Sequence, residues 1–162
     1  MFWFHGSSGT GKTRFAHRVA DSCNVDPYEC TTKKWFDGID DSEPFIIFDE
    51  FRRADMSIKS LLQYTDGYKG VMVEVKGGMR VWRPKVLIFT SPYSPHKTFC
   101  EQDEKWNIEE GQFEQIIRRI DRVVDFDQDS AGFIANKNWV LEQVSHKFPH
   151  QTVVEHEFVF NG

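Results

Sequence analysis

The hydrophobic positions of this chain fall into short continuous runs that polar stretches separate. Runs at residues 2–4, 45–48 and 86–89 consist of aromatic and branched aliphatic side chains, a pattern typical of strands buried on both faces of a parallel sheet. Behind the first run, apolar residues recur at helical spacing over residues 14–20. Strands followed by helices predict an α/β fold with a mostly parallel central sheet flanked by helices.

Weaker patterns predict the remaining elements. Alternating residues on both sides of Gly77-Gly78 predict an inserted β-hairpin over 71–75 and 79–82. We expect further helices at 57–64, 113–120 and 139–148, further strands near 28–32, 122–126 and 153–160, and a solvated acid-rich loop at 101–110. The prediction is a single domain, residues 1–162, with its motif core in 2–126 and a helix and strand in 127–162.

The turn between the first strand and the first helix contains a complete Walker A motif. Its residues are Gly6, Ser7, Ser8, Gly9, Thr10, Gly11, Lys12 and Thr13. The glycines let backbone N–H groups converge on a phosphate, and the following helix adds the positive end of its dipole. Lys12 would reach the β- and γ-phosphates and Thr13 would ligate Mg²⁺, so the motif predicts ATP and Mg²⁺.

The second buried run leads into two acids, Asp49 and Glu50, as in a Walker B motif. Acids at the carboxyl end of a strand lie where α/β sheets bind their ligands. Asp49 would hold Mg²⁺ through water, and Glu50 would activate the attacking water. The alternative is that both acids merely end a strand and cap the next segment.

The third buried run ends in Thr90 and Ser91, before Pro92. A hydroxyl at this position is able to hydrogen-bond a γ-phosphate or the attacking water. The alternative is ordinary turn chemistry, since Thr and Ser are common where a strand enters a turn.

Basic residues concentrate around the hairpin, with Lys69, Lys76, Arg80, Arg83 and Lys85 against the single acid Glu74. Lys76 at the hairpin tip suits contact with a phosphate backbone, whereas charge that protects an exposed edge is the alternative. The segment Lys33-Lys34-Trp35 is either a stacking and phosphate-contacting surface or, as we favour, a loop pinned by buried aromatics.

Composition limits the partners and the compartment. The 162 residues carry a net charge of −5, so a nucleic-acid contact must come from a local patch. Three cysteines without a CxxC pair favour a reducing compartment over disulfides or zinc. No apolar stretch is long enough for a membrane span and no secretory leader is evident, so a soluble protein is expected.

Taken in order, these motifs resemble the superfamily-three helicase domain of replication-initiator (Rep) proteins of circovirus-like circular single-stranded DNA viruses. The resemblance covers roughly residues 2–126. It is carried by the Walker A loop and the segments 34–38, 45–51, 75–78, 86–92 and 117–120. One departure is Pro92, which stands where the third motif commonly ends in Asn. The sensor role would then fall to Thr90 or Ser91.

The resemblance implies an AAA+-like P-loop ATPase that assembles as a hexameric ring and translocates on single-stranded DNA in the host nucleus. Lys76, with Gly77 and Arg80, would grip the DNA. Arg118 or Arg119, with a slight preference for Arg119, would be the arginine finger that completes the neighbouring subunit's catalytic site. The catalytic residues implied are therefore Glu50, Lys12, Arg119, Arg118 and Ser91.

Full-length relatives also carry a nicking endonuclease domain with His-x-His and Tyr-x-x-Lys motifs. Neither motif occurs here, so that domain is expected outside this chain. Three other functions stay open at this point. They are an RNA-directed superfamily-three ATPase, a small P-loop kinase, and an assembly module in which nucleotide only locks subunits together.

Overall fold

Seven strands and five helices form the described part of the chain, which comprises residues 1–30, 36, 38–40, 43–67, 71–101, 108–109 and 111–149 of this computed structural model. The strands are β1 Phe2–His5, β2 Tyr28–Cys30, β3 Phe45–Phe48, β4 Val71–Val75, β5 Gly78–Trp82, β6 Val86–Ser91 and β7 Arg122–Asp125. The helices are α1 Lys12–Ser22, α2 Ile58–Tyr64, α3 Pro95–Cys100, α4 Gln112–Ile117 and α5 Ala131–Lys147, with a short 3-10 helix at Arg53–Asp55.

The central sheet has the strand order β2-β3-β6-β1-β7, and every pairing in it is parallel. The predicted parallel α/β fold is thus confirmed. In register, His5 lies beside Ser91 on one side and beside Asp125 on the other. Since parallel strands end at the same edge, the residues that follow β1, β3, β6 and β7 meet there.

Strand alternation divides the core into two layers. Phe2 and Phe4 face the layer that contains the buried residues of α1 and α5. Trp3 points the other way, into a layer shared with α2, α3, α4 and the hairpin. There Phe89 stacks on Trp3 at 5.5 Å between ring centroids and on Phe48 at 4.6 Å. Apolar side chains on both faces explain why these strands read as continuous hydrophobic runs.

The hairpin predicted from the Gly77-Gly78 turn is present, and β4 and β5 pair antiparallel as a separate two-stranded sheet. It is anchored at its base by Trp82, which is 3% exposed. The indole Nε1 of Trp82 donates to the carbonyl of Tyr64 at 2.9 Å, and its ring packs against Phe36. The tip carries the exposed Lys76 and Gly77.

Two helices differ from the expectations. Helix α3 was not predicted, although Ser94 caps it by accepting from the Lys97 amide at 3.2 Å and Pro95 occupies its first turn. Helix α5 begins at Ala131, eight residues before the predicted start. The sequence pattern missed its first turns because they are only partly buried and show weak periodicity. The strand expected at 153–160 lies outside the described residues, as do 31–32 of the strand near 28–32.

Candidate active site at the carboxyl edge of the sheet

The Walker A residues form the turn between β1 and α1, as expected from their position. Gly9 and Gly11 have φ values of +79° and +93°, and a Cβ added at either would touch nothing within 4 Å. The space in front of the turn is therefore open, while its backbone conformation is one that glycine favours. No side chain caps the start of α1. A glycine-rich turn before an uncapped helix start fits an anion such as phosphate.

Lys12 lies along the inside of this turn and is only 5% exposed. Its ammonium Nζ donates to the carbonyl oxygens of Gly6 and Ser7 at 2.7 and 2.8 Å. The hydroxyl of Thr10 donates to the same Ser7 carbonyl at 2.8 Å. The cation is thus held at the phosphate loop by the loop's own backbone.

Asp49 follows β3 and meets the loop from the neighbouring strand end. Its Oδ1 accepts from the Thr13 hydroxyl at 2.7 Å and from the Thr90 hydroxyl at 2.8 Å. Thr90 is fully buried, and its oxygen also accepts from the Glu50 amide at 3.0 Å. The structure therefore brings Thr13 and Asp49, the two predicted Mg²⁺ ligands, into direct contact.

The pairing of a hydroxyl with a carboxylate suits Mg²⁺, which prefers oxygen ligands and usually keeps several waters or substrate phosphates. Within the described ranges, no group of three His, Cys, Asp or Glu side chains is placed to hold a metal ion. The Thr13 hydroxyl and the Asp49 carboxylate supply an oxygen pair at this edge of the sheet. The residues present fit Mg²⁺ bound together with a nucleotide.

Glu50 has a φ of +52°, in a backbone region that residues other than glycine rarely adopt. Its side chain is exposed, and Oε2 lies 3.7 Å from the Arg52 guanidinium Nη2. The Arg52 guanidinium in turn lies over the Tyr93 ring, 5.5 Å from the centroid. This strained backbone ends the extended course of β3 at the carboxyl edge of the sheet, where the phosphate loop also lies.

Ser91 lies beside the loop, but its hydroxyl is used within the fold. It is fully buried, and its Oγ donates to the Phe51 carbonyl at 2.9 Å and accepts from the Tyr93 amide at 3.2 Å. The Ser91 carbonyl accepts from the Gly6 amide at 3.2 Å. The sequence left the sensor role to Thr90 or Ser91. The Thr90 hydroxyl contacts Asp49, whereas the Ser91 hydroxyl bonds backbone groups of Phe51 and Tyr93.

Arg118 and Arg119 follow α4 and precede β7, so they lie toward the opposite edge of the sheet from the phosphate loop. Arg119 donates from Nη1 to the Leu62 carbonyl and to the Thr65 hydroxyl at 3.0 Å, and its Nη2 lies 3.8 Å from Asp66. Arg118 is exposed and has no side-chain partner in the described part of the chain. Neither arginine is brought to the phosphate loop of its own subunit.

The predicted DNA-binding residues lie on the hairpin, which is a sheet separate from the one that carries the phosphate loop. Lys76 and Arg80 line a groove of about 480 Å³ together with Gly38, Ile39, Asp40 and Val75. The Phe36 amide donates to the Glu74 carbonyl at 3.2 Å, so the loop before this groove is attached to the hairpin. The alternatives for Lys33, Lys34 and Trp35 fall outside the described residues.

A larger cavity of about 670 Å³ lies at the base of the hairpin. Its lining includes the aromatic residues Tyr64 and Trp82 and the basic residues Arg83, Lys85, Arg119 and Lys147. The sequence motifs gave no indication of this cavity. Because it is lined by residues near the amino ends of β6 and β7, it is separate from the phosphate loop.

Two ionisable groups flank the entry to the phosphate loop. Burial lowers the pKa of His5, and the nearby Asp125 carboxylate offsets this only in part. The net shift favours the neutral form of His5. The Ser7 amide, which donates to the Asp127 carboxylate, lowers the pKa of Asp127, and the charge of Lys12 adds to this shift. Asp127 was not singled out by sequence patterns, because its partner is 120 residues away.

No helix within the described residues is long and apolar enough to cross a membrane. The parallel sheet, the glycine-rich loop and the adjoining strand-end acids define the class of P-loop nucleotide-binding domains.

Comparison with known proteins narrows this class. Residues 2–93, more than half of the chain, match the family described as RNA helicase. The chain belongs to this RNA helicase family and is a helicase domain of superfamily-three type. The predicted superfamily-three helicase domain is thus confirmed. The finer likeness to circovirus Rep proteins stays a prediction.

A search of curated proteins found no match. Among 23 matching chains of known structure is the X-ray structure of inhibitor-bound JCV helicase. The two chains are 17% identical with a TM-score of 0.42, and the alignment covers 90% of this chain and 41% of the JCV chain. This chain therefore corresponds to about two fifths of that helicase chain.

Proposed function

We propose that this chain is the ATP-dependent DNA helicase or translocase domain of a viral replication-initiator protein, which hydrolyses ATP at subunit interfaces. The observation that carries the proposal is the meeting of Thr13, Asp49 and Thr90 through their side chains, next to a phosphate loop that holds the Lys12 ammonium. A Walker A residue from the start of α1 and a Walker B residue from the end of β3 thus share one hydrogen-bonded cluster. Membership of a helicase family supports coupling of nucleotide hydrolysis to nucleic acid.

Each residue of the cluster has a distinct role in the proposed reaction. Amides of residues 8–13 and the Lys12 ammonium bind the triphosphate, since the Gly6 and Ser7 amides already donate to Ser91 and Asp127. Thr13 and Asp49 would hold Mg²⁺. When bound, Mg²⁺ supplies charge neutralisation at the β- and γ-phosphates. The Thr90 hydroxyl bonds both Asp49 Oδ1 and the Glu50 amide. It thereby fixes the backbone from which the Glu50 side chain extends. Glu50 accepts a proton from the attacking water.

We assign the arginine finger to Arg118 rather than to Arg119. The Arg119 guanidinium already binds Leu62, Thr65 and Asp66 of the α2 end, and its side chain is 26% exposed. Arg118 is exposed and is available to a neighbouring subunit. Because both arginines lie away from their own phosphate loop, the finger acts between subunits of a homo-oligomer, proposed to be a hexameric ring. The same proposal includes a nicking endonuclease domain outside this chain and a location in the host nucleus.

Lys76, Gly77 and Arg80 are proposed to contact single-stranded DNA through its phosphates. The exposed hairpin tip and the groove shared by Lys76 and Arg80 support this role. The description of the matching family as RNA helicase favours one second candidate, an RNA-directed ATPase. The same hairpin would then contact RNA.

The proposed function predicts that the Lys76→Ala variant keeps its basal ATPase within about twofold but loses stimulation by single-stranded DNA, because Lys76 lies on the hairpin, a sheet separate from the one that carries the phosphate loop. The salt slope of DNA binding, d log K/d log[salt], should shrink in magnitude by about 0.7 for one lost phosphate contact. The measurement is ATP turnover with and without single-stranded DNA or RNA, at several salt concentrations. Lys59→Ala, which removes an exposed lysine from α2, is the matched control.

Stimulation of the wild-type protein by DNA but not by RNA supports the DNA assignment, and the reverse supports the RNA-directed candidate. Full stimulation of Lys76→Ala would show that the hairpin lysine is not the contact.

A further inference from the structure

The start of the phosphate loop is held from outside by the turn that follows β7. Both carboxylate oxygens of Asp127 accept the amide hydrogen of Ser7, with N–O distances of 3.0 and 3.1 Å. This is a charge-assisted hydrogen bond between the turn after β7 and the second residue of the loop. It connects two segments that are 120 residues apart in sequence.

The position of this carboxylate is set by the backbone around it. The Asp127 amide donates to Asp125 Oδ1 at 2.9 Å, and the Phe126 amide donates to the His5 carbonyl at 2.7 Å. Gly6 packs closely against the same turn, since an added Cβ would lie 3.1 Å from the Phe126 Cβ and 3.3 Å from the Asp127 amide nitrogen. The first residue of the loop and the turn after β7 therefore form one packed unit.

The loop entry is thus fixed by two groups of opposite charge. Asp127 holds the amide of Ser7, while the Lys12 ammonium holds the carbonyl oxygens of Gly6 and Ser7. A loop that is already ordered loses less conformational entropy when a ligand binds. A carboxylate beside a triphosphate site also repels the ligand, so its presence is best explained by an ordering role that outweighs the repulsion.

We propose that Asp127 is a positioning residue for nucleotide binding, which holds the start of the phosphate loop in its binding conformation through the Ser7 amide. This inference rests on the proposed function, since it requires that the loop binds a nucleoside triphosphate. Asp127 lies outside residues 2–93, so the family match does not assign it. The lowered pKa of Asp127 keeps the carboxylate ionised throughout the neutral range.

The test compares the wild-type protein with Asp127→Ala and Asp127→Asn. ATP affinity is measured by calorimetry, protection of the Ser7 amide by NMR hydrogen exchange without nucleotide, and the thermal midpoint by circular dichroism. Asp129→Ala is the matched control, because it removes an equal charge from an exposed side chain two residues away. The Asp127 side chain is exposed, so the thermal midpoint is expected to stay unchanged.

We expect Asp127→Ala to bind ATP about tenfold more weakly and to lose protection of the Ser7 amide. At saturating ATP its turnover should equal that of the wild type, so KM changes and kcat does not. In Asp127→Asn the side-chain carbonyl still accepts the Ser7 hydrogen and the repulsive charge is gone. This variant should therefore keep the protection and bind ATP at least as tightly as the wild type.

Equal ATP affinity and equal Ser7 protection in Asp127→Ala would overturn the inference while leaving the proposed function intact. Failure of the wild-type protein to bind ATP would instead overturn the proposed function, and this inference with it. If Asp127→Ala does not fold, Asp127→Asn decides the question, because a protected Ser7 amide with wild-type affinity supports the role and an unprotected amide refutes it.

Discussion

Replacing Glu50 with glutamine is expected to lower ATP turnover by about 10³-fold, because the amide cannot accept the proton of the attacking water. Glutamine has nearly the same shape and keeps a Cβ at the residue whose φ is +52°, so the backbone conformation should not change. ATP affinity should stay within about threefold of the wild-type value, since Glu50 is not among the residues proposed to bind the phosphates.

The measurement combines steady-state phosphate release with calorimetric ATP binding for the same preparation. Glu142→Gln is the matched control, because Glu142 is an exposed glutamate on α5, distant in sequence from the Walker motifs. Its turnover should equal that of the wild type. Undiminished turnover in Glu50→Gln would contradict the catalytic assignment and favour a module in which nucleotide only locks subunits together.

Replacing Lys12 with alanine is expected to weaken ATP binding by at least about 100-fold, since a buried ammonium that faces the triphosphate is lost. The change also removes the donor to the Gly6 and Ser7 carbonyls. Ser7 is exposed, so water can replace the donor at its carbonyl, whereas the bond to the Gly6 carbonyl is buried and is lost without replacement. We therefore expect the fold to persist with only a modest loss of stability.

Calorimetry with ATP and Mg²⁺ measures the affinity, and circular dichroism verifies that the variant is folded. Lys59→Ala serves again as the control for loss of one positive charge. A folded Lys12→Ala protein that binds ATP with wild-type affinity would remove the phosphate-binding role from this loop.

The sequence predicted the parts of this protein in which local pattern and tertiary structure agree. Continuous apolar runs identify β1, β3 and β6 because these strands are buried on both faces of the sheet. The Walker A loop was placed at the turn between β1 and α1 because its motif is a local pattern. Its glycines are required by local backbone geometry, which neighbours in sequence determine.

Other features depend on contacts between segments that are far apart in sequence. The side-chain contact between Thr90 and Asp49 joins residues 41 positions apart, and the bond from the Ser7 amide to the Asp127 carboxylate spans 120. The sequence left the sensor role to Thr90 or Ser91 and counted only Ser91 among the catalytic residues, whereas the side-chain directions bring Thr90 to Asp49. Helix α3 was missed because six residues are too few to show a helical period, although the Ser94-Pro95 pair is a usable start signal.

The central claim is that one nucleotide is bound by the Walker A loop and the strand-end acids together. A crystal structure of the protein with Mg²⁺ and a non-hydrolysable ATP analogue tests this claim most directly. The account predicts the triphosphate along residues 6–13, with Mg²⁺ at Thr13 and Asp49. A triphosphate bound instead in the basic cavity beside Arg83 and Lys85, with the Walker A loop empty, would contradict it.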